Sequence, residues 1–276
     1  MFHFYHKDLG LLNEWFAMRK FTRHIYPSFV YLFLYLPILI VIVFSFNDAS
    51  RSLIWKGFTL KWYFELFHDS GMLVVAAHSI IIGILAASIA TSIGTITAVS
   101  LFRYRFFGKN LLHGLLFVMI VTPEIVIGIS LLLLYSATNV PLGFWSLLLA
   151  HTTLCIPFAA ITVYSRITSL DKSIFEAARD LGASDFVIFS KIIVPLLLPA
   201  IIAAWLLSFT LSLDDVITSY FVSGPGFAIL PLKVYAMVRL GIKPEINALC
   251  TLLLIGTLLL VVAAQVALKK NEKVGE

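Results

Sequence analysis

LLLPAIIAAWLLSFTLSLDDVITSYFV, residues 196–222, is an apolar run long enough to cross a membrane, yet it contains two adjacent aspartates, Asp214 and Asp215. A membrane-spanning helix needs about 20 predominantly apolar residues. An Asp at the bilayer centre costs roughly 2.5–3.5 kcal/mol on insertion scales, so a pair of them requires a role that offsets this cost. The run therefore predicts a transmembrane helix with a specialised polar site.

The rest of the chain is equally apolar. It has 276 residues, of which 60% are hydrophobic and 13% are charged, whereas ordinary soluble domains contain about 25% charged residues. We predict an all-α membrane protein with six transmembrane helices and no separate soluble catalytic domain. The predicted spans are residues 29–46, 78–101, 111–137, 142–165, 196–222 and 248–268. A single membrane domain, residues 29–268, lies between an N-terminal segment, 1–28, and a tail, 269–276.

The basic residues indicate the orientation of these spans. If the N-terminus is cytoplasmic, the inside segments hold fourteen of the 20 Lys and Arg residues, and an excess of Lys and Arg marks cytoplasmic loops. Both termini are therefore predicted to lie in the cytoplasm. The net charge of +5 comes from residues scattered at the ends of apolar runs, which does not indicate nucleic-acid binding. Cys155 and Cys250 lie in apolar segments and are expected to be inert thiols, and no Cys/His cluster has the spacing of zinc ligands.

Prolines and small residues give the spans further features. Pro123 and Pro157 are predicted to interrupt the third and fourth helices and to free backbone groups that neighbours or water must satisfy. The second span carries two rows of small residues at four-residue steps, a pattern that permits close helix packing. Packing within this chain and packing against a second membrane subunit remain equally open. The two rows are Gly83, Ala87, Thr91 and Thr95, and Ala86, Ala90, Gly94 and Ala98.

The longest predicted cytoplasmic loop contains a short helix with a defined start and stop. Ser173 followed by Glu176 fits a capping box, and Gly182 can adopt the left-handed conformation that ends a helix. A second short helix is predicted from Ser184 to Pro195, with an apolar face that has no obvious partner in a cytoplasmic loop. We interpret this segment as a docking element for a soluble protein.

At this loop the sequence resembles a known family. Glu176-Ala177-Ala178, then Gly182, then Ile192-Ile193-Val194-Pro195 is similar to the EAA loop of membrane subunits of bacterial ATP-binding-cassette importers, E-A-A-x3-G-x9-I-x-L-P. Only Val194 departs from the pattern. Further stretches resemble the permeases of spermidine/putrescine importers, and more closely the second of their two membrane subunits. These stretches are 45–47, 61–63, 97–99, 103–106, 180–184, 206–215 and 229–235.

The resemblance implies a type I importer permease fold and a set of partners. The expected partners are a second permease subunit, two copies of an ATPase, an extracytoplasmic polyamine-binding protein and membrane lipid. The chain lacks a GxxxxGK[ST] phosphate loop, so it is expected to hold no cofactor and to leave ATP and Mg to the ATPase. In the family's mechanism the helix in this coupling loop, residues 173–195, sits in a cleft of that ATPase and couples the two proteins. The resemblance assigns coupling roles to Glu176, Ala177, Ala178, Gly182 and Pro195.

The acidic residues in the spans are interpreted as part of a substrate pathway. Glu124, Asp214 and Asp215 lie at similar predicted levels, and no Lys or Arg is expected at that depth. A polyamine suits such carboxylates because it carries ammonium groups along an apolar stem, and aromatic faces add cation–π contacts. One Asp is expected to line the path while the other binds a neighbouring helix, because adjacent helical residues point about 100° apart. The predicted aromatic walls are Trp205, Phe209 and Tyr220.

Other interpretations remain open. The acidic pair could instead cap an outer helix break, and an ion-coupled carrier of organic cations would also use intramembrane carboxylates, although it has no use for the 173–195 loop. An ATP-binding-cassette importer of a different solute is a further alternative. An intramembrane enzyme is disfavoured because the spans show no catalytic constellation. His151, in the fourth span, is expected to be a buried histidine with satisfied hydrogen bonds.

Overall fold

The computed structural model describes residues 26–49, 54–240 and 244–272. This part of the chain forms eleven helices and two compact units, which comprise the described residues of 1–64 with 242–252 and of 65–241 with 253–276. Most of the predicted segment 1–28, and residues 273–276 of the predicted tail, lie outside the described residues. The helices are α1 Tyr26–Phe44, α2 Lys61–His68, α3 Ser70–Arg103, α4 Lys109–Val121, α5 Glu124–Ala137, α6 Phe144–Ile167, α7 Ser173–Asp180, α8 Asp185–Asp214, α9 Ile217–Val222, α10 Leu230–Leu240 and α11 Pro244–Glu272.

The prediction of six spans is confirmed with one refinement. Within the described ranges, α1, α3, α6, α8 and α11 are long and apolar enough to cross a membrane. The remaining predicted span, residues 111–137, corresponds to the pair α4 and α5, which are bent by 111° relative to each other. The bend follows Thr122 and Pro123, as the proline predicted. Leu116 is the only buried residue of α4, so little packing holds the chain straight across the break.

The first unit is organised by a buried asparagine after α1. Asn47 Nδ2 donates to the carbonyl of Ile54 at 2.8 Å, and Asn47 Oδ1 accepts from the backbone N–H of Lys56 at 2.8 Å. The indole of Trp62 donates to the Asn47 carbonyl at 2.8 Å. Ser45 and Tyr63 share a hydrogen bond of 2.6 Å between their hydroxyls. Two of the stretches that carry the resemblance, 45–47 and 61–63, therefore contact each other.

The core of the second unit is formed by α3, α6 and α8, which pack on one another. All eight small residues of α3 that form the two predicted rows are buried inside this chain, which resolves the alternative in favour of internal packing. Gly94 shows why small size is needed, because a Cβ there would lie 2.7 Å from the backbone nitrogen of Ala160. The rows are therefore accounted for by helix contacts within the chain.

Two of the predicted helix boundaries are wrong. Pro157 does not interrupt α6, which runs unbroken from Phe144 to Ile167. Of an apolar 18-residue stretch of this helix, 67% is buried, so packing outweighs the roughly 3 kcal/mol that an internal proline costs. Pro195 does not end a second loop helix either, because α8 continues from Asp185 to Asp214. A π-helical segment, Ile188–Ile193, precedes this proline. Across it, the N–H of Val194 donates to Phe189 O, five residues back, instead of four.

The predicted loop helix exists, but it begins differently. α7 starts at Ser173 as expected, yet the predicted capping box of Ser173 and Glu176 does not form. Instead, Asp171 Oδ1 accepts from the backbone N–H of Ser173 at 2.9 Å, and this hydrogen bond lowers the pKa of the Asp171 carboxyl. The C-terminus is as predicted, because Gly182 is left-handed at φ +81°. Its N–H donates to Arg179 O at 2.8 Å and that of Ala183 donates to Ala178 O at 3.0 Å, which is the Schellman pattern.

Candidate functional site

Asp215 caps the helix that follows the break in the long apolar run. α8 ends at Asp214 and α9 begins at Ile217. The Asp215 carboxylate accepts hydrogen bonds from the backbone N–H of Thr218 at 3.1 Å and of Ser219 at 2.8 Å, and from Ser219 Oγ at 2.7 Å. A carboxylate at a helix N-terminus satisfies free N–H groups and interacts favourably with the helix dipole. Asp215 is only 4% exposed, so its position fits the capping role that the sequence left open.

A buried histidine connects this cap to the fourth span. His151, on α6, is fully buried. Its Nδ1 lies 2.6 Å from Ser212 Oγ and its Nε2 lies 2.8 Å from Ser219 Oγ, while Nε2 is 3.5 Å from Asp215 Oδ2. The ring therefore links α6, α8 and α9 through hydrogen bonds. Both ring nitrogens of His151 have hydrogen-bond partners, as the sequence predicted for this residue.

Glu124 and Asp214 are the exposed members of the acidic group. Glu124 is the first residue of α5, immediately after the bend. Close packing brings α5 against α9, because a Cβ added at Gly128 would lie 2.8 Å from the ring of Phe221 and 3.3 Å from the Cα of Thr218. Glu124 therefore stands at the start of a helix that packs on the helix capped by Asp215. The structure thus brings the three predicted carboxylates together, with two of them accessible and one buried.

Two of the predicted aromatic residues form a stacked pair on α8. The rings of Trp205 and Phe209 are 5.3 Å apart and nearly parallel, at 4°. The Trp205 indole donates to Ser88 Oγ on α3 at 3.0 Å. Phe209 is 6% exposed and packs under Gly83, where a Cβ would meet its ring at 3.0 Å. Phe209 therefore supports the Trp205 ring from within the chain, and Trp205 is the more accessible of the two.

The third predicted aromatic residue borders a cavity. Tyr220 is 60% exposed and lines a cavity of about 270 Å³ together with Ile125, Tyr235 and Arg239. The Arg239 guanidinium lies 5.0 Å from the centre of the Tyr235 ring. The sequence placed Arg239 in an outer loop and expected no cation at the depth of the acids, whereas the structure places it on α10 beside the residue after Glu124. Sequence reasoning missed this cation because α10 is not part of a hydrophobic span.

The residues with predicted coupling roles divide into exposed and buried ones. Glu176 and Ala177 are exposed on α7, and Pro195 is exposed on α8. Ala178 is 8% exposed and packs in a hydrophobic cluster of this chain that contains residues of α3, α6 and α8. Ala178 therefore anchors α7 to the spans. Glu176 and Ala177 remain accessible to a partner.

Two large apolar side chains near α7 were not singled out as site residues from the sequence. Leu181 is 89% exposed and Phe186 is 76% exposed. Together with Glu176 and Ala177 they form what we term the coupling surface. The sequence predicted an apolar face for the segment after Ser184, but it could not show which members of that face stay exposed. Ile188, for example, belongs to the same face and is fully buried.

Comparison with known proteins places the chain in a clear context. The family described as "Binding-protein-dependent transport system inner membrane component" matches residues 79–273. The chain is 50% identical over 254 residues to the spermidine/putrescine transport system permease protein PotC of Escherichia coli K12, which covers 92% of this chain and 96% of that protein. It is 47% identical over 253 residues to PotC of Haemophilus influenzae, covering 92% and 98%. It is 44% identical over 230 residues to the putrescine permease PotI of E. coli K12, covering 80% and 82%.

Solved structures share the fold. A chain of a bacterial ABC transporter that imports the acidic polysaccharide alginate aligns with a TM-score of 0.69 at 13% identity, over 94% of this chain and 96% of that one. The inward-facing MetNI methionine ABC transporter aligns with a TM-score of 0.59 at 18% identity, over 70% and 92%.

Proposed function

Because this chain belongs to the family of binding-protein-dependent inner-membrane transport components, we propose that it is a permease subunit of an importer that carries polyamines such as spermidine and putrescine into the cytoplasm. The chain has the type I fold of ATP-binding-cassette importer permeases that the resemblance implied. The observation that carries the cargo class is the similarity to PotC across 92% of the chain at 50% identity. An ion-coupled carrier would not account for that relationship.

The acidic group supports a cationic cargo. Glu124 is exposed at the start of α5 and Asp214 is exposed at the end of α8, and each can pair with one ammonium group of an extended polyamine. Trp205 and Tyr220 supply accessible aromatic faces for cation–π contact with the remaining ammonium groups. Asp215 holds α9 in place, and Phe209 supports Trp205.

The coupling surface is the proposed contact with the motor. Glu176, Ala177, Leu181 and Phe186 present one charged and several apolar groups to an ATPase subunit. Ala178 and Phe175 are buried in the cluster that joins α7 to the spans, so movement of α7 is transmitted to α6 and α8 by packing. ATP and Mg are bound by the ATPase, and this chain contributes no residue to hydrolysis. The remaining proposed partners are a second permease, a second ATPase copy and an extracytoplasmic binding protein, with both termini of this chain in the cytoplasm.

Cargo and motor dependence are tested together in proteoliposomes. The complex that contains this chain is purified and reconstituted into proteoliposomes that enclose ATP, and the cognate binding protein is added outside. Uptake of labelled spermidine, putrescine, sulfate and thiamine is then compared. We expect polyamine uptake that requires ATP, with no uptake of the other two solutes. Polyamine uptake that persists without ATP and collapses with the ion gradient contradicts the proposal, as does ATP-dependent uptake of sulfate or thiamine alone.

A further inference from the structure

A basic cavity lies beside α7 and contains none of the residues proposed to bind cargo. It has a volume of about 330 Å³ and occupies the junction of the end of α3, the start of α4 and α7. Five cationic side chains and one carboxylate line it, together with three aromatic residues. The charged residues are Arg103, Arg105, Lys109, Lys172, Arg179 and Glu176.

One nitrogen of these cationic side chains has no hydrogen-bond acceptor among the described residues. The side chain of Arg103 is 8% exposed and is paired with Asp185, yet its Nε is buried with no hydrogen-bond partner. Buried donors of this kind are normally satisfied, and the described residues supply no acceptor for this one. Within the described ranges, Arg105, Lys109 and Lys172 have no carboxylate at ion-pair distance. The cavity therefore has donors and positive charge to spare.

The position of the cavity matches the level of lipid headgroups. Arg103 is the last residue of the apolar helix α3, and Lys109 is the first residue of α4. The short connection between them exposes aromatic side chains, among which Phe107 is fully exposed and Tyr104 is 43% exposed. Aromatic residues between basic ones at the ends of spans are typical of the membrane–water interface.

We propose that this cavity binds the phosphate of an anionic phospholipid headgroup. Arginine offers planar paired donors that match phosphate oxygens, and lysine adds a point charge. Arg103 and Arg105 contact the phosphate from the α3 end, and Lys172 and Arg179 approach it from the α7 side. The bound lipid thus joins the end of a span to the helix that carries the coupling surface. This inference does not depend on the identity of the cargo.

The test uses the full-length chain in detergent and measures lipid retention by native mass spectrometry. The variant Arg105→Gln/Lys172→Gln removes two cavity charges and spares the ion pair of Arg103. The matched control, Arg166→Gln/Lys191→Gln, removes two exposed charges outside the cavity. We expect the wild type to retain phosphatidylglycerol in preference to phosphatidylcholine. The cavity variant should lose about 25-fold in that preference, or about 5-fold per basic residue, and the control should keep it.

Three results would overturn the inference. The first is an absence of preference for phosphatidylglycerol, or an equal loss in the control. The second is displacement of the lipid by inorganic phosphate at millimolar concentration, which would assign the cavity to a soluble anion. The third is unchanged lipid retention in the cavity variant, which would show that Arg105 and Lys172 do not hold the headgroup. Thermal unfolding of both variants, compared with the wild type, verifies that each is folded.

Discussion

Replacement of Asp215 by alanine should destabilise the protein strongly. The substitution removes three hydrogen bonds to a carboxylate. Loss of a helix cap costs about 1–2 kcal/mol, and leaving buried partners such as Ser219 unsatisfied costs about 1–3 kcal/mol more. The sum is about 3 kcal/mol, which is a large part of the 5–15 kcal/mol that typically stabilises a folded protein. In a domain of this size it corresponds to a fall in melting temperature on the order of 10 °C.

The neighbouring residue provides the matched control. Asp214 is exposed, so Asp214→Asn should leave the melting temperature of the detergent-solubilised protein within about 2 °C of the wild type while polyamine uptake falls. The assay is thermal unfolding followed by tryptophan fluorescence, together with uptake at matched protein levels. If Asp215→Ala melts like the wild type, or if Asp214→Asn is destabilised as much as Asp215→Ala, the division of these residues into a cap and a pathway group is refuted.

Three further substitutions test other parts of the structure. Gly182→Asp should abolish uptake without preventing membrane insertion, because a side chain at φ +81° is strained and a negative charge opposes the helix dipole. Gly182→Asn should retain most of the uptake, because Asn tolerates this backbone conformation and is uncharged. Equal uptake by both variants would argue against the coupling role. Gly94→Val should lower the melting temperature, because the valine side chain would meet the backbone of Ala160 and overpacking costs about 1–3 kcal/mol. Gly114→Ala should have no such effect, because a Cβ at Gly114 points into open space. Glu124→Gln should raise the KM for spermidine roughly tenfold, as expected for about 1.4 kcal/mol of lost attraction, and an unchanged KM would remove Glu124 from the pathway.

The number and position of the spans could be predicted because bilayer physics acts on composition. A helix is the way in which a single segment satisfies its backbone in lipid, so a long apolar run identifies it without tertiary information. The sequence did not predict α10 or the length of α3, which has 34 residues and is about 51 Å long at 1.5 Å per residue. Both extend beyond the hydrophobic pattern. Polar helix ends outside the spans leave little periodic signal.

The effect of a proline could not be predicted from the sequence alone. Pro123 breaks a weakly packed helix, whereas Pro157 lies in a helix enclosed by α3 and α8 and leaves it continuous. The difference is set by neighbouring helices that are distant in the sequence. The capping box failed for a local reason, since Asp171 accepts from the backbone N–H of Ser173, which is the donor that the Glu176 side chain takes in a capping box.

The two aspartates show the same limit at the candidate site. Helical geometry predicted that adjacent residues point in different directions, and the structure agrees, with one exposed and one buried. It could not predict which one is buried, because the answer depends on where the chain turns into α9 and on the position of His151. That partner is 64 positions away in the sequence from Asp215, and a lone histidine in an apolar span gives no signal of its role.

The two helix breaks, before α5 and before α9, differ in how their free backbone N–H groups are satisfied. This difference bears on which residues of the proposed path face water. The N-terminus of α9 is capped by buried Asp215, so its first N–H groups need no water. α5 begins with no side-chain cap. The N–H of Val126 donates to Pro123 O at 2.9 Å, but the N–H groups before it need water or a neighbouring chain, since lipid offers no acceptor and a protonated polyamine only donates. Glu124 stands at this uncapped end and is exposed, as is Asp214. This difference in hydrogen bonding supports the proposed path, in which Glu124 and Asp214 face water and Asp215 is buried behind them.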